Sequence, residues 1–181
     1  MLFRSFTLFP SHDTPINQAL DDYLKGMRAV YDAADYITVN ISSPNTKNLR
    51  QLQQGEELRI LLCGLKEEQF KLKAQYDRYV PLALKIAPDL GTEEIEQISQ
   101  LLLQYEIDAV IATNTTLSRE GVTGLKHAEE AGGLSGLPVR DKSTAVIRAL
   151  HMHLHDRIPI IGVGGILCAR DAQEKIRATL S

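Results

Sequence analysis

Four short apolar runs in this chain each break into residue types that can bind a ligand or move a proton. They end in Asn40-Ile41-Ser42-Ser43, Lys85-Ile86-Ala87-Pro88, Thr113-Asn114-Thr115-Thr116 and Gly162-Val163-Gly164-Gly165. Asn40 lies within an apolar run, so its amide needs partners if buried; satisfying local backbone at a strand end is one such use. Asn45, after Pro44, also suits ordinary turn chemistry. Ser43 has no histidine close in sequence, which removes local support for a Ser–His nucleophile pair. It is a weak base unless its surroundings help, and a plain loop serine is the competing account. Lys85 has apolar neighbours on both sides. A lysine is rarely buried unpaired, so it either escapes at the strand end or meets an anion.

The glycines add a second signal. The segment SREGVTGLKHAEEAGGLSG carries five of them, and loops of this length in compact domains are often lids or ligand loops. Gly132-Gly133-Leu134-Ser135-Gly136 lets backbone N–H groups approach a ligand closely. Gly162 to Gly165, just before a helix, suits a phosphate or carbonyl contact. His151, His153 and His155 suggest a metal less well. On a helix His151 and His155 share a face and His153 does not. No carboxylate cluster completes a site, and histidines near a helix C-terminus already have a dipole rationale.

These residues need elements to hold them. The runs at Tyr36–Ile41, Leu82–Ala87, Ala109–Thr113 and Pro159–Val163 are short and apolar throughout, as parallel strands covered on both faces are. Helix-period segments lie between them. Thr14 before Pro15 reads as an N-cap opening a helix to about Tyr31. A second helix spans Glu56 to about Tyr76. Thr92-Glu93-Glu94 reads as the cap and acidic first turn of a third, with Ile95, Ile98, Leu102 and Tyr105 on one face. Ser143 to His155 and Arg170 to Arg177 supply the last two. This alternation means α/β with a parallel sheet. No glycine fingerprint sits on the first strand–helix turn, which disfavours a doubly wound sheet. Polar residues at the carboxyl ends of several strands favour a (β/α)8 barrel. Four or five βα units do not close such a barrel, which typically needs about 250 residues, so a partial barrel is expected.

At 181 residues and 44% hydrophobic, the chain suits one sizeable core. A net charge of −3 and a pI near 6.0 leave no basic footprint for nucleic acid. Cys63 and Cys168 suggest no disulfide framework and a reducing compartment. No stretch approaches the roughly 20 apolar residues of a membrane span. The start, MLFRSFTLFPS, is not a signal peptide; residues 1–12 read as an atypical segment holding an altered strand, before a barrel domain over 13–181.

Taken together, YITVNISSPNTKNLRQLQ, PLALKIAPDL, DAVIATNTTLSRE, GGLSGLPVRDKST and PIIGVGGI resemble the quinone-dependent (class 2) dihydroorotate dehydrogenases. The resemblance runs from about Asp13 to Ala178 and covers roughly the central half of such an enzyme. It implies a (β/α)8 barrel that uses FMN to oxidise dihydroorotate to orotate in pyrimidine biosynthesis, with quinone as electron acceptor and peripheral attachment to the inner membrane. It implies Ser43 as the catalytic base that removes the C5 proton; serine rather than cysteine there points to class 2. Asn40 would touch flavin and substrate, and Asn45, Asn114 and Thr115 the substrate. Lys85, Thr113, Gly136 and Gly165 would hold the flavin. The family's N-terminal helical segment, its first strands with a substrate lysine and Asn-rich loop, and its last strand with a Tyr-Ser pair find no match here. The expectation is a truncated form without its membrane anchor, cytoplasmic, with little flavin or activity alone. The alternatives are a non-catalytic remnant or an FMN- or phosphate-binding fragment without chemistry.

Overall fold

The computed structural model describes residues 4–11, 13–46 and 48–180. Five parallel strands form one sheet in the order of the sequence: β1 (Ser5–Leu8), β2 (Tyr36–Asn40), β3 (Leu82–Ile86), β4 (Ala109–Ala112) and β5 (Ile160–Gly162). Parallel neighbours need crossovers, and a helix fills each one. These are α1 (Ala19–Val30), α2 (Gly55–Tyr76), α3 (Thr92–Gln104) and α4 (Leu137–Leu154), with α5 (Ala169–Arg177) after β5. Successive helices touch each other, α1 with α2 through to α4 with α5, so all five lie on one side of the sheet. That is an arc of a (β/α)8 barrel, as the strand-end chemistry implied.

The period-two alternation of strands decides what each face does. Ile37, Val39, Leu82, Leu84, Ile86, Val110 and Ala112 point to the helices and are buried with Tyr23, Met27, Leu58, Leu62, Ile98 and Leu150. The other face carries Thr38, Asn40, Ala83, Lys85, Ile111 and Ile161, brought side by side by the register Asn40↔Lys85↔Ile111↔Ile161. On this face Thr38, Ala83 and Ile111 are buried, and exposure rises at the edge strand β5. Ile161 is 40% exposed there, whereas Leu84 on the helix side is 1% exposed.

Several boundaries differ from the sequence expectation, each for a local reason. Thr14 does not cap a helix. Its hydroxyl donates to Asp22 at 2.5 Å, and Pro15 takes the capping position before a short 3-10 turn, Ile16–Gln18, that leads into α1. The third helix is capped at Gly91 rather than Thr92, because Glu94 reaches back to accept the Gly91 N–H at 2.7 Å. α4 begins at Leu137, six residues before the expected Ser143, since Pro138 suits a first helical turn. It ends at Leu154, with His155 in the left-handed region at φ 46°, so His155 lies outside the helix whose face it was expected to share with His151.

Leu84 sits at the centre of the buried face. Leu84→Ala is expected to cost about 2–5 kcal/mol, read as a lower urea midpoint with an unchanged slope.

Candidate functional site

The carboxyl ends of β2, β3 and β4 converge through side chains. Asn40, the last residue of β2, accepts the Asn114 amide N–H through Oδ1 at 3.0 Å and the Ser42 backbone N–H at 3.2 Å. Ser42 is fully buried. Its hydroxyl donates to the Lys85 carbonyl at 2.8 Å and accepts from the same Asn114 amide nitrogen at 3.1 Å. The Asn114 Oδ1 accepts the Thr115 N–H at 2.9 Å. Beneath them the Tyr23 hydroxyl donates to the Asn40 carbonyl at 2.7 Å, and burial pushes that phenol far above its usual range. At the ends of β2 and β3, Asn40 Nδ2 and Lys85 Nζ donate no side-chain hydrogen bond to the described residues. Both lie on the sheet face away from the helices, and Lys85 is half-buried.

Ser43, Asn45 and Thr115 form a second group above this hub. Ser43 Oγ accepts the Asn45 N–H at 3.3 Å. The glycine loop closes over them: the Cβ of a residue at 133 would lie 1.9 Å from Thr115 Oγ1 and 2.7 Å from Pro44 Cγ. Only glycine permits that approach. A two-way bridge between Thr116 and Leu134 and bonds from Arg119 to the Glu130 and Gly132 carbonyls at 2.7 and 2.8 Å hold the loop there. Thr113 is buried, with its N–H on the Val163 carbonyl at 2.9 Å and its hydroxyl on the Asn114 carbonyl at 2.9 Å. Gly136 and Gly165 both border the first turn of α4. Gly136 precedes the helix, and Gly165, at φ 66°, packs so tightly on Arg140 that a Cβ would lie 2.5 Å from its Cα. The nine residues singled out in the sequence thus fall into three adjoining groups at one end of the sheet.

Among the described residues no three histidine, cysteine or acidic side chains converge as metal ligands. His151 instead lies 3.5 Å from Asp156.

With this geometry in place, comparison with known proteins is decisive. The sequence profile of the family described as dihydroorotate dehydrogenase matches residues 12–181. The chain belongs to the dihydroorotate dehydrogenase family. It is 63% identical over 169 residues to a dihydroorotate dehydrogenase (quinone) of Herminiimonas arsenicoxydans, covering 93% of this chain and 49% of that protein. The corresponding protein of Janthinobacterium sp. (strain Marseille) is 62% identical over the same shares. A crystal structure of DHODH from Eimeria tenella in complex with ferulenol superposes with a TM-score of 0.88 at 34% identity, over 95% of this chain and 49% of that one. The chain spans about half the length of the curated relatives it matches. No helix among its described residues is long and apolar enough to cross a membrane.

Three residues of the chain shape the site without standing out in the sequence. Ser42 passes for a turn residue beside Ser43, yet it is the buried hub. Arg50, in a 3-10 turn after the first loop, spans three loops, and Asp89, after Pro88, receives it at 2.8 Å. Asp89 also accepts the Thr116 hydroxyl and the Leu117 N–H. Burial pushes the Asp89 carboxyl up, but the Thr116 hydroxyl, the Leu117 N–H and Arg50 together outweigh it and hold it below its usual value. A depressed carboxylate stabilises the fold above its unfolded pKa of about 3.9 and loses that contribution as pH falls through its folded value. Urea titrations are therefore expected to show a steeper acid loss below about pH 4 in the wild type than in Asp89→Asn.

Proposed function

We propose that this chain carries one wall of a site that oxidises dihydroorotate to orotate, with FMN as the redox cofactor and a quinone as final acceptor. The observation that carries this is the cluster of Asn40, Ser42 and Asn114 beside the unpaired ammonium of Lys85, in a member of this family. A ring of alternating N–H and C=O groups needs fixed amides, and an electron-rich flavin edge needs a cation.

The residues present fit FMN on one count: Lys85 Nζ has no anion among the described residues, whereas the glycine at 165 is already required by its packing on Arg140. Lys85, Asn40, Thr113, Gly136 and Gly165 would hold it. When bound, FMN supplies the acceptor for the hydride that leaves C6 of dihydroorotate.

The chain's own part is binding and proton transfer. Ser43 Oγ takes the C5 proton as its own hydroxyl proton passes to a water, and the Asn45 N–H at 3.3 Å stabilises the alkoxide character that Oγ gains when that hydroxyl proton leaves. The Asn114 amide nitrogen donates to Asn40 and Ser42. The side chain meets the substrate through the second lone pair of Oδ1 while keeping Asn40 aligned. Thr115 and Asn45 contribute from beneath Gly132-Gly133, which shields the reacting face from water. Attachment to a membrane, where the quinone resides, belongs to the same reading.

The test joins the chain to the polypeptide that makes up the rest of its relatives' length. That assembly should be yellow and oxidise dihydroorotate. Ser43→Ala should lower turnover by about 10²- to 10⁴-fold and leave the flavin absorbance intact. A colourless assembly rejects the FMN assignment and leaves a remnant without chemistry. Full turnover by Ser43→Ala rejects the base.

A further inference from the structure

We propose that Arg50 and Asp89 are a positioning pair that sets the distance between Ser43 and Thr115, a role that rests on the function proposed for that site. The guanidinium of Arg50 reaches one acceptor on each of three loops. Its Nε donates to the Ser42 carbonyl at 3.3 Å, Nη1 to Asp89 at 2.8 Å and Nη2 to the Thr115 carbonyl at 2.9 Å. Asp89 then takes the Thr116 hydroxyl and the Leu117 N–H, the latter at 3.0 Å. The loops after β2, β3 and β4 are thereby joined above the level of the Asn40–Ser42–Asn114 hub.

The carbonyls chosen matter. The Ser42 carbonyl belongs to the peptide that leads into Ser43, so holding it fixes the direction in which Ser43 leaves the strand. The Thr115 carbonyl is held on the residue whose hydroxyl lies under Gly133. Arg50 and Asp89 therefore grip the backbone on both sides of the proposed reacting position through other residues.

Only arginine suits the geometry, because its planar fork presents fixed donors in several directions at once, whereas lysine is a point charge. The side chains are 21% and 23% exposed. Partly exposed ion pairs add little to global stability, so the consequence of this one is local. Misplacement of a reacting group by about 1 Å can cost about 10²-fold, which makes a local consequence a functional one.

The test uses the 181-residue chain and the variants Arg50→Lys, Asp89→Asn and the double variant. NMR amide exchange is followed at Ser43, Asn45 and Leu117. Urea unfolding is measured alongside, and orotate is titrated to millimolar concentration. Each single variant should speed exchange in both loops together by about tenfold or more, with little change in the urea midpoint. Orotate affinity should fall about tenfold. The double variant should do no more than either single one, since one device is lost in each case. Thr116→Val removes a single bond from Asp89 and serves as the milder variant if the others unfold. Exchange that stays at the wild-type rate in either loop, or effects that sum in the double variant, overturn the pair. Variants whose loops respond in this way, with a wild-type chain that binds no orotate, uphold the pair on its own, and the oxidation proposed for the site is then decided by the joined assembly. Orotate binding left unchanged by Arg50→Lys rejects the positioning role.

Discussion

The parallel register of β2, β3 and β4 is the constraint on which the rest depends. It sets Asn40 opposite Lys85 and Lys85 opposite Ile111. A slip of one residue would turn every one of these side chains toward the helices, into a region lined by Ile37, Val39, Leu84 and Val110. The buried face enforces the register because those apolar side chains have no other place to go. The polar face inherits it. Packing on one side of the sheet therefore positions hydrogen-bonding groups on the other, with no contribution to stability required of them.

Polar groups then complete what packing begins. Past the last strand residues the backbone has no ladder to join, and its donors and acceptors need partners of another kind. Ser42 supplies one by donating to the Lys85 carbonyl, and Asn114 supplies others by bridging Asn40 and Ser42. No buried side-chain polar atom among the described residues lacks a partner. Asn40 Nδ2 and Lys85 Nζ, which donate no side-chain hydrogen bond to the described residues, face the open side. Two uses are thus divided within one side chain: Asn40 uses its oxygen to hold the fold and leaves its N–H groups without an acceptor among the described residues.

The open face has a cost of its own. Among the described residues β1 and β5 each pair on one side only, and Phe9, Ile161, Val163 and Leu167 are exposed near those edges. A parallel sheet is ordinarily covered on both faces, and the face opposite the helices is the one that holds the candidate site.

Much of this was legible from residues in order. The four apolar runs became β2 to β5 because period and β-branching are local properties. The strand-end polar groups were visible because an asparagine or lysine among apolar neighbours stands out. The caps differ from the expectation at Thr14 and Thr92 because partners further along decide them: the Thr14 hydroxyl donates to Asp22, and Glu94 accepts the Gly91 N–H, which puts the cap one residue earlier. Ser42 was hidden by its position beside Ser43, since two adjacent serines differ only in which face of the chain they meet. Arg50 and Asp89 were hidden because they are separated by 39 residues and nothing in either neighbourhood marks the other. The sequence by itself determined the type of fold, the family and the roster of polar groups, all of which depend on short-range pattern. Only the tertiary structure decided which of those groups are spent on holding the loops and which are not, because that depends on partners brought together from distant parts of the chain.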